Sequence, residues 1–154
     1  MFDEALKATL GIEGEYSDHP DDPGGKTRWG VTEAVARASG YTGDMRDYPI
    51  EDAKKLYLKQ YWNPITGDEL PWPLSKYVFD FAVNSGVRQA ILTLQRTLNI
   101  PMDGVIGPQT LQKAKAMNAE QLALYLADRA MFMASLGTFT TFGRGWFKRL
   151  FIIK

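Results

Sequence analysis

The chain has 154 residues, 45% of them hydrophobic and 23% charged, with 18 basic residues against 18 acidic. That balance excludes a disordered chain and a membrane chain, and it gives no reason to expect bulk nucleic-acid binding. There is no cysteine, which excludes disulfides, thiolate zinc ligation and a cysteine nucleophile. One domain of this length buries about two thirds of its unfolded surface.

The first residues, MFDEALKATLGIEGEY, lack a basic n-region and an apolar core. The expectation is a protein made in the cytoplasm without a secretory signal, reaching any outside target by another route. Phe2, Leu6 and Leu10 share one helix face, predicting a first helix that runs to a stop near Gly14. Residues 24–31 are rich in glycine and form the best candidate for a β-hairpin. Thr32 is a fitting N-cap for a short helix stopped by Gly40.

PIEDAKKLYLKQYW carries an apolar stripe of Ile50, Ala53, Leu56, Tyr57 and Tyr61. PLSKYVFDFAVNSG and VRQAILTLQRTLNI read as two further helices. GPQTLQKAKAM starts another, with Pro108 where a missing N–H is harmless. Asn118 caps the longest helical pattern, EQLALYLADRAMFMASL. The fold class expected is mainly α, a lysozyme-like helical globule with at most a small β-hairpin near the Gly-rich loop. The Pro-rich DELPWPL marks a seam. It separates a catalytic region, residues 1–72, from a helical region, residues 73–154, the two packed as one compact unit.

The stretch EGEYSDHPDDPGGKTRWGVT crowds carboxylates, glycines and aromatics together with the only histidine. If the first helix reaches Gly14, Glu13 falls on the inward face with Leu6 and Leu10. A carboxyl group half-buried there loses solvation and can hold a proton near neutral pH, as a general acid must. A capping or ion-paired glutamate is the plainer alternative. Glu15 points elsewhere. The loop DHPDDPGGKT can hold Asp22 and Thr27 opposite Glu13, and an acid facing a carboxylate across a cleft is the minimum for breaking a glycosidic bond.

These residues resemble the signature of glycoside hydrolase family 108, the phage endolysins and N-acetylmuramidases, whose form is E-G-G-Y, D-P-x-D-P-G-G, then T and G-[IV]-T. YWNP, FDFAVNSG, LQRTLNIPMDGVIGPQTL and GRGWFKR resemble the family's later motifs in order, so nearly the whole chain is covered. The second half is similar to the peptidoglycan-binding module that accompanies that catalytic motif. The resemblance implies Glu13 as catalytic acid and, by the phage-lysozyme arrangement, Asp22 and Thr27 as its partners. Two positions depart from the pattern. Glu15 stands where the family has glycine, and Thr27 lies a residue closer to Asp22 than usual, which leaves Thr32 as a competing choice.

The implied activity is hydrolysis of the β-1,4 bond between N-acetylmuramic acid and N-acetylglucosamine in peptidoglycan, causing cell lysis after release through a holin-type hole. A lytic transglycosylase acting on the same bond, and a non-catalytic wall-binding or secretion-accessory protein, are the alternatives. The expected partner is the glycan strand, without nucleic acid, and the expected state is a monomer.

Aromatic rings stack on sugars, which makes Tyr16, Trp29, Tyr61, Trp62 and Trp72 candidate groove residues. Aromatics at helical spacing are more often core, and Trp29 is the favoured one of the set. Asp80 and Asn84 share a helix face. They either line the cleft's far wall, or Asp80 pairs with Lys76 or Arg88 while Asn84 ends its helix. His19 reads as a solvated turn residue rather than a proton shuttle. Asp18, Asp21 and Asp22 lack calcium-loop spacing, so no metal and no cofactor are expected. In the tail GRGWFKRLFIIK, Trp146, Leu150 and Ile153 are spaced to seal the core, with weak contact to an anionic membrane as the other reading.

Overall fold

The computed structural model describes residues 1–11, 16–18 and 25–152. Among them are eight α-helices and one two-stranded hairpin. Helix α1 (Phe2–Leu10) is followed by β1 (Thr27–Arg28), β2 (Val31–Thr32), α2 (Glu33–Ala38) and a 3-10 turn at Met45–Asp47. Then come α3 (Ile50–Tyr57), α4 (Leu74–Ser85), α5 (Val87–Thr97), α6 (Pro108–Lys115), α7 (Ala119–Ala134) and α8 (Phe139–Ile152). The mainly α expectation, with a single small hairpin in the Gly-rich region, holds.

Helix α1 is shorter than the apolar spacing predicts. It ends at Leu10, with Gly11 in the left-handed region at φ 69°, where a glycine has no Cβ penalty and ends a helix readily. Gly11, rather than Gly14, is therefore the stop of α1. Glu13 itself lies outside the described residues.

The hairpin turns on Trp29 and Gly30, at φ 53° and φ 72°. Two successive residues at positive φ make the tight turn whose twist matches that of paired strands. Glycine is required at the second position, because a Cβ there would lie 2.5 Å from the Tyr57 hydroxyl. Trp29, with a side chain in the same unfavourable region, is held from two sides: its indole Nε1 donates to Tyr48 O at 3.0 Å, and Tyr57 donates to Trp29 O at 3.2 Å. Ser17 adds a third short strand position, exchanging backbone hydrogen bonds of 2.8 Å with Thr27 in both directions.

Helix α3 passes into a π-helical turn over Leu58–Trp62, closed by Asn63 N–H donating to Leu58 O at 2.9 Å. A wider turn moves the apolar face on by about one residue relative to an α-helix. Trp62, not Tyr61, consequently becomes the buried member, while Ile50 at the start of the expected stripe is 38% exposed.

Helix α4 is the axis of the molecule. Leu74 through Ala82 are all buried, so the helix is enclosed on every side rather than amphipathic. Helices α1, α5 and α7 pack around it, and α8 lies against α7. Helix α7 begins with a full capping box, Asn118 and Gln121 each satisfying the other's backbone N–H. Phe2, Trp62 and Phe79 form an edge-to-face triangle with centroid distances between 5.5 and 5.9 Å, which couples α1 to α4 and to the π-turn.

Candidate active site

The described structure nearest in sequence to the candidate acid is the end of α1. Leu10 and Gly11 border two cavities. One, of about 320 Å³, is walled by Trp29, Ile50 and Lys54. The other, of about 410 Å³, is walled by Asn84, Trp146 and Lys148. The sequence that carries Glu13 leaves the described structure at Gly11, between them. Glu13 and Asp22, together with Glu15, His19 and Asp21, lie outside the described residues.

Thr27 and Thr32 are direct cross-strand partners, so the two threonines that compete as third site residue stand side by side on one face of the hairpin. Their hydroxyls are used differently. Thr32 Oγ1 accepts from Val35 N–H at 3.4 Å and caps α2. Thr27 Oγ1 donates to Gly25 O at 3.1 Å, which leaves its lone pairs able to accept from a water or a sugar hydroxyl.

Tyr16 is half-buried, donates to Asp18 at 3.1 Å and lies under the Arg46 guanidinium, 5.4 Å from ring centroid to Cζ. Partial desolvation and the Asp18 hydrogen bond push its phenol above the ordinary tyrosine range. Tyr61 is half-buried against Tyr57, 5.7 Å between centroids. Trp72 is 43% exposed with the Lys76 ammonium 5.5 Å from its ring centre.

Two residues read as groove candidates are not at the surface. Trp62 is 0% exposed and donates its indole N–H to Asp68 at 3.1 Å; the π-turn has carried it into the core, where it has no face to offer a sugar. Asp80 is also 0% exposed. Its carboxylate receives Arg129 Nη2 on one oxygen at 2.6 Å and Arg149 Nη2 and Nε on the other at 2.6 and 3.0 Å. Asp80 does pair with bases, but from α7 and α8 rather than with Lys76 or Arg88. Asn84, one turn on, is exposed and borders the larger of the two cavities, and its amide donates to Asp80 O at 2.6 Å.

The Asp80 node is the element that the sequence concealed. Arg149 also donates to Thr9 O at 2.7 Å, so α8 fixes the last turn of α1, from which the chain proceeds toward Glu13. Arg129 is fully buried with Nε and Nη1 lacking partners, and the Phe81 ring lies 4.9 Å from its Cζ, a cation–π contact that offsets part of the desolvation. Nothing in the spacing of residues 80, 129 and 149 announces this pairing, which depends on three helices meeting.

The family model Glycosyl hydrolase 108 matches residues 6–86. The chain belongs to that family. It is a glycoside hydrolase, and the matched span contains every residue from Glu13 to Asn84 singled out in the sequence. Among solved structures it is similar to "Structure of Brucella abortus SagA", with 34% sequence identity and a TM-score of 0.83, covering 99% of this chain and 90% of that one. No curated protein matches it. The structural match extends over nearly the whole chain, well beyond the family-matched residues 6–86. Among the described residues no group of three His, Cys, Asp or Glu side chains could hold a metal ion, and no helix is long and apolar enough to cross a membrane.

Proposed function

We propose that this hydrolase is a lysozyme-like muramidase cleaving the β-1,4 bond between N-acetylmuramic acid and N-acetylglucosamine in peptidoglycan. The observation that carries the reading is the family match over residues 6–86, which contains the EGEY to GVT signature around Glu13. In this reading Glu13 protonates the leaving glycosidic oxygen. Asp22 stabilises the oxocarbenium-like charge or activates water, and Thr27 orients that water through its available lone pairs. The hairpin supports Thr27 over Thr32, whose hydroxyl is engaged in capping α2. Tyr16 and Trp29 flank the glycan, with Tyr61 and Asn84 further along the rim.

Peptidoglycan lies outside the cytoplasm, so the proposed biology is that of an endolysin: synthesis in the host cytoplasm, holin-dependent passage to the wall, action as a monomer, and lysis. Residues 73–154 would assist by holding glycan as well as by enclosing α4. Contact of α8 with anionic lipid is secondary in this scheme. It is supported by the exposure of Phe142, Phe151 and Ile152 beside Lys148, and opposed by the engagement of Arg149 in the core.

Mass spectrometry of wall fragments tests the reaction. Muramidase action yields reducing N-acetylmuramic acid ends. A 1,6-anhydro end would replace the proposal with a lytic transglycosylase, and a reducing N-acetylglucosamine end would move the cleavage to the other bond.

A further inference from the structure

Among the described residues, three carry a side chain at positive φ: Trp29, Thr66 and Asn99. Trp29, at φ 53°, is the bulkiest of them, and it stands at the first position of a tight hairpin turn that favours Asn, Asp or Gly there. A side chain stays against its backbone preference only where its surroundings over-determine it, and such positions cluster at functional sites.

Three fixed points over-determine this turn. The Trp29 indole N–H donates to the carbonyl of Tyr48 at 3.0 Å, on a residue only 2% exposed. The Trp29 carbonyl accepts from the Tyr57 hydroxyl at 3.2 Å, and the Tyr57 ring meets Phe79 of α4 edge-on with centroids 6.4 Å apart. The third point is α1 itself, since a Cβ on Gly30 would lie 3.1 Å from Leu10 Cδ2. The indole packs against the core, with the Arg28 guanidinium 5.2 Å from its ring centre on the other side. Asparagine or glycine would suit the backbone better, but neither has a ring to pack on the core or a donor with the reach of an indole.

Thr27 lies in β1, two residues before Trp29, and Leu10 is the last residue of α1, after which Gly11 leads toward Glu13. One turn thus ties the strand that carries Thr27 to the helix end from which the chain continues to the acid. Such ties matter to a reaction because a displacement of about 1 Å between reacting groups costs about 10²-fold in rate.

We propose that Trp29 is a positioning residue of the hydrolase, the strut that fixes the Thr27 hairpin against the last turn of α1. The inference rests on the muramidase reading above, from which the roles of Glu13 and Thr27 are taken. It assigns the strained backbone to alignment of those two groups, a task separate from any contact the ring makes with the glycan.

Three substitutions in the full chain test it, each measured for melting temperature, wall turnover and amide hydrogen exchange. Trp29→Phe keeps a ring and loses the N–H, Trp29→Asn suits the backbone and loses the ring, and Trp29→Ala does neither. Trp29→Phe should lower kcat about tenfold with KM within about twofold of wild type. Its Ser17 and Thr27 amides, which pair with each other's carbonyls, should exchange about tenfold faster, the effect of one lost hydrogen bond, while those of α4 stay unchanged. Trp29→Asn should melt above Trp29→Ala yet turn over no faster, a split that a purely structural role would not produce. Wild-type kcat in Trp29→Phe, a loss confined to KM, or unchanged exchange overturns the proposal. So does a kcat that recovers in Trp29→Asn in step with its stability. A wild-type protein that turns over no wall removes the hydrolase reading instead, and the exchange result then decides alone whether Trp29 fixes the hairpin.

Discussion

Two turns built from the same kinds of residue, DGVIGP before α6 and GGKTRWGVT before α2, use their polar groups in opposite ways. In the first, Gln95 is 1% exposed and satisfies the whole turn: its amide nitrogen donates to Asp103 at 2.7 Å and to Val105 O at 3.0 Å, and its oxygen accepts from Gly104 N–H at 2.9 Å. Asp103 in addition accepts from Val105 N–H at 2.9 Å. Little hydrogen-bonding capacity remains there. In the hairpin the backbone is satisfied by the ladder and by Tyr57, while the Thr27 hydroxyl keeps its acceptor capacity and Tyr16 faces partly outward. Similar composition thus marks a structural staple in one place and a rim with hydrogen-bonding capacity still open in the other, and what separates them is whether a buried side chain has already consumed the polar groups.

The comparison can be broken first at the Asp80 node, where polar groups are most completely consumed. Asp80→Asn keeps the shape and removes the charge that holds two arginines, one of them fully buried. It should destabilise the fold by about 3–5 kcal/mol, as the breaking of a buried pair does. Urea unfolding measures this, and a loss under 1 kcal/mol would place the node outside the structural class. Gln95→Leu comes next, leaving Gly104 N–H and Val105 O without their partner at a loss of about 1–3 kcal/mol. It also changes the acid limb. The Gln95 amide and the Val105 N–H hold the Asp103 carboxyl below its ordinary range. That contribution is present above the unfolded carboxylate value near 4 and is lost as pH falls through the folded one. Melting temperature against pH should therefore fall less steeply between pH 5 and about 3 in the variant. An identical slope would show that Gln95 does not perturb Asp103.

The smallest effect belongs to Tyr57, which links the hairpin to α3. Burial pushes its phenol up to about 12. Between the unfolded value near 10 and the folded one, the unfolded chain loses the proton and the folded chain keeps it, so stability declines as pH rises above about 10. Tyr57→Phe should remove that decline. It should also lower neutral-pH stability by about 0.5–1.5 kcal/mol through the lost bond to Trp29 O. A decline that persists in the variant would assign it to other groups.

Most of the helices were legible because their stops and caps are local: Thr32 and Asn118 cap where their side chains suggest, and Pro108 starts α6. Legibility failed where geometry changed the period or where partners are distant in sequence. Gly11 ended α1 before the expected glycine. The π-turn moved burial from Tyr61 to Trp62 and so removed a groove candidate. Arg149 lies in the tail GRGWFKRLFIIK, where the apolar spacing alone was informative, yet α8 brings it to Asp80 and Thr9, a pairing invisible without the fold. The hairpin was found from its glycines and the two competing threonines from the family resemblance, but the division of labour between Thr27 and Thr32 needed the cross-strand register.

The central claim is that the chemistry resides in the loop carrying Glu13 and the stability resides in the helices around α4. Glu13→Gln, measured for melting temperature and for wall turnover on one preparation, tests it most directly. The account predicts a melting temperature within about 2 °C of wild type, since the substitution keeps the side chain's size and shape, and turnover reduced by at least about 10²-fold, the lower end of what a general acid supplies. Wild-type turnover in a folded Glu13→Gln protein would contradict it, and would favour a wall-binding or secretion-accessory role instead.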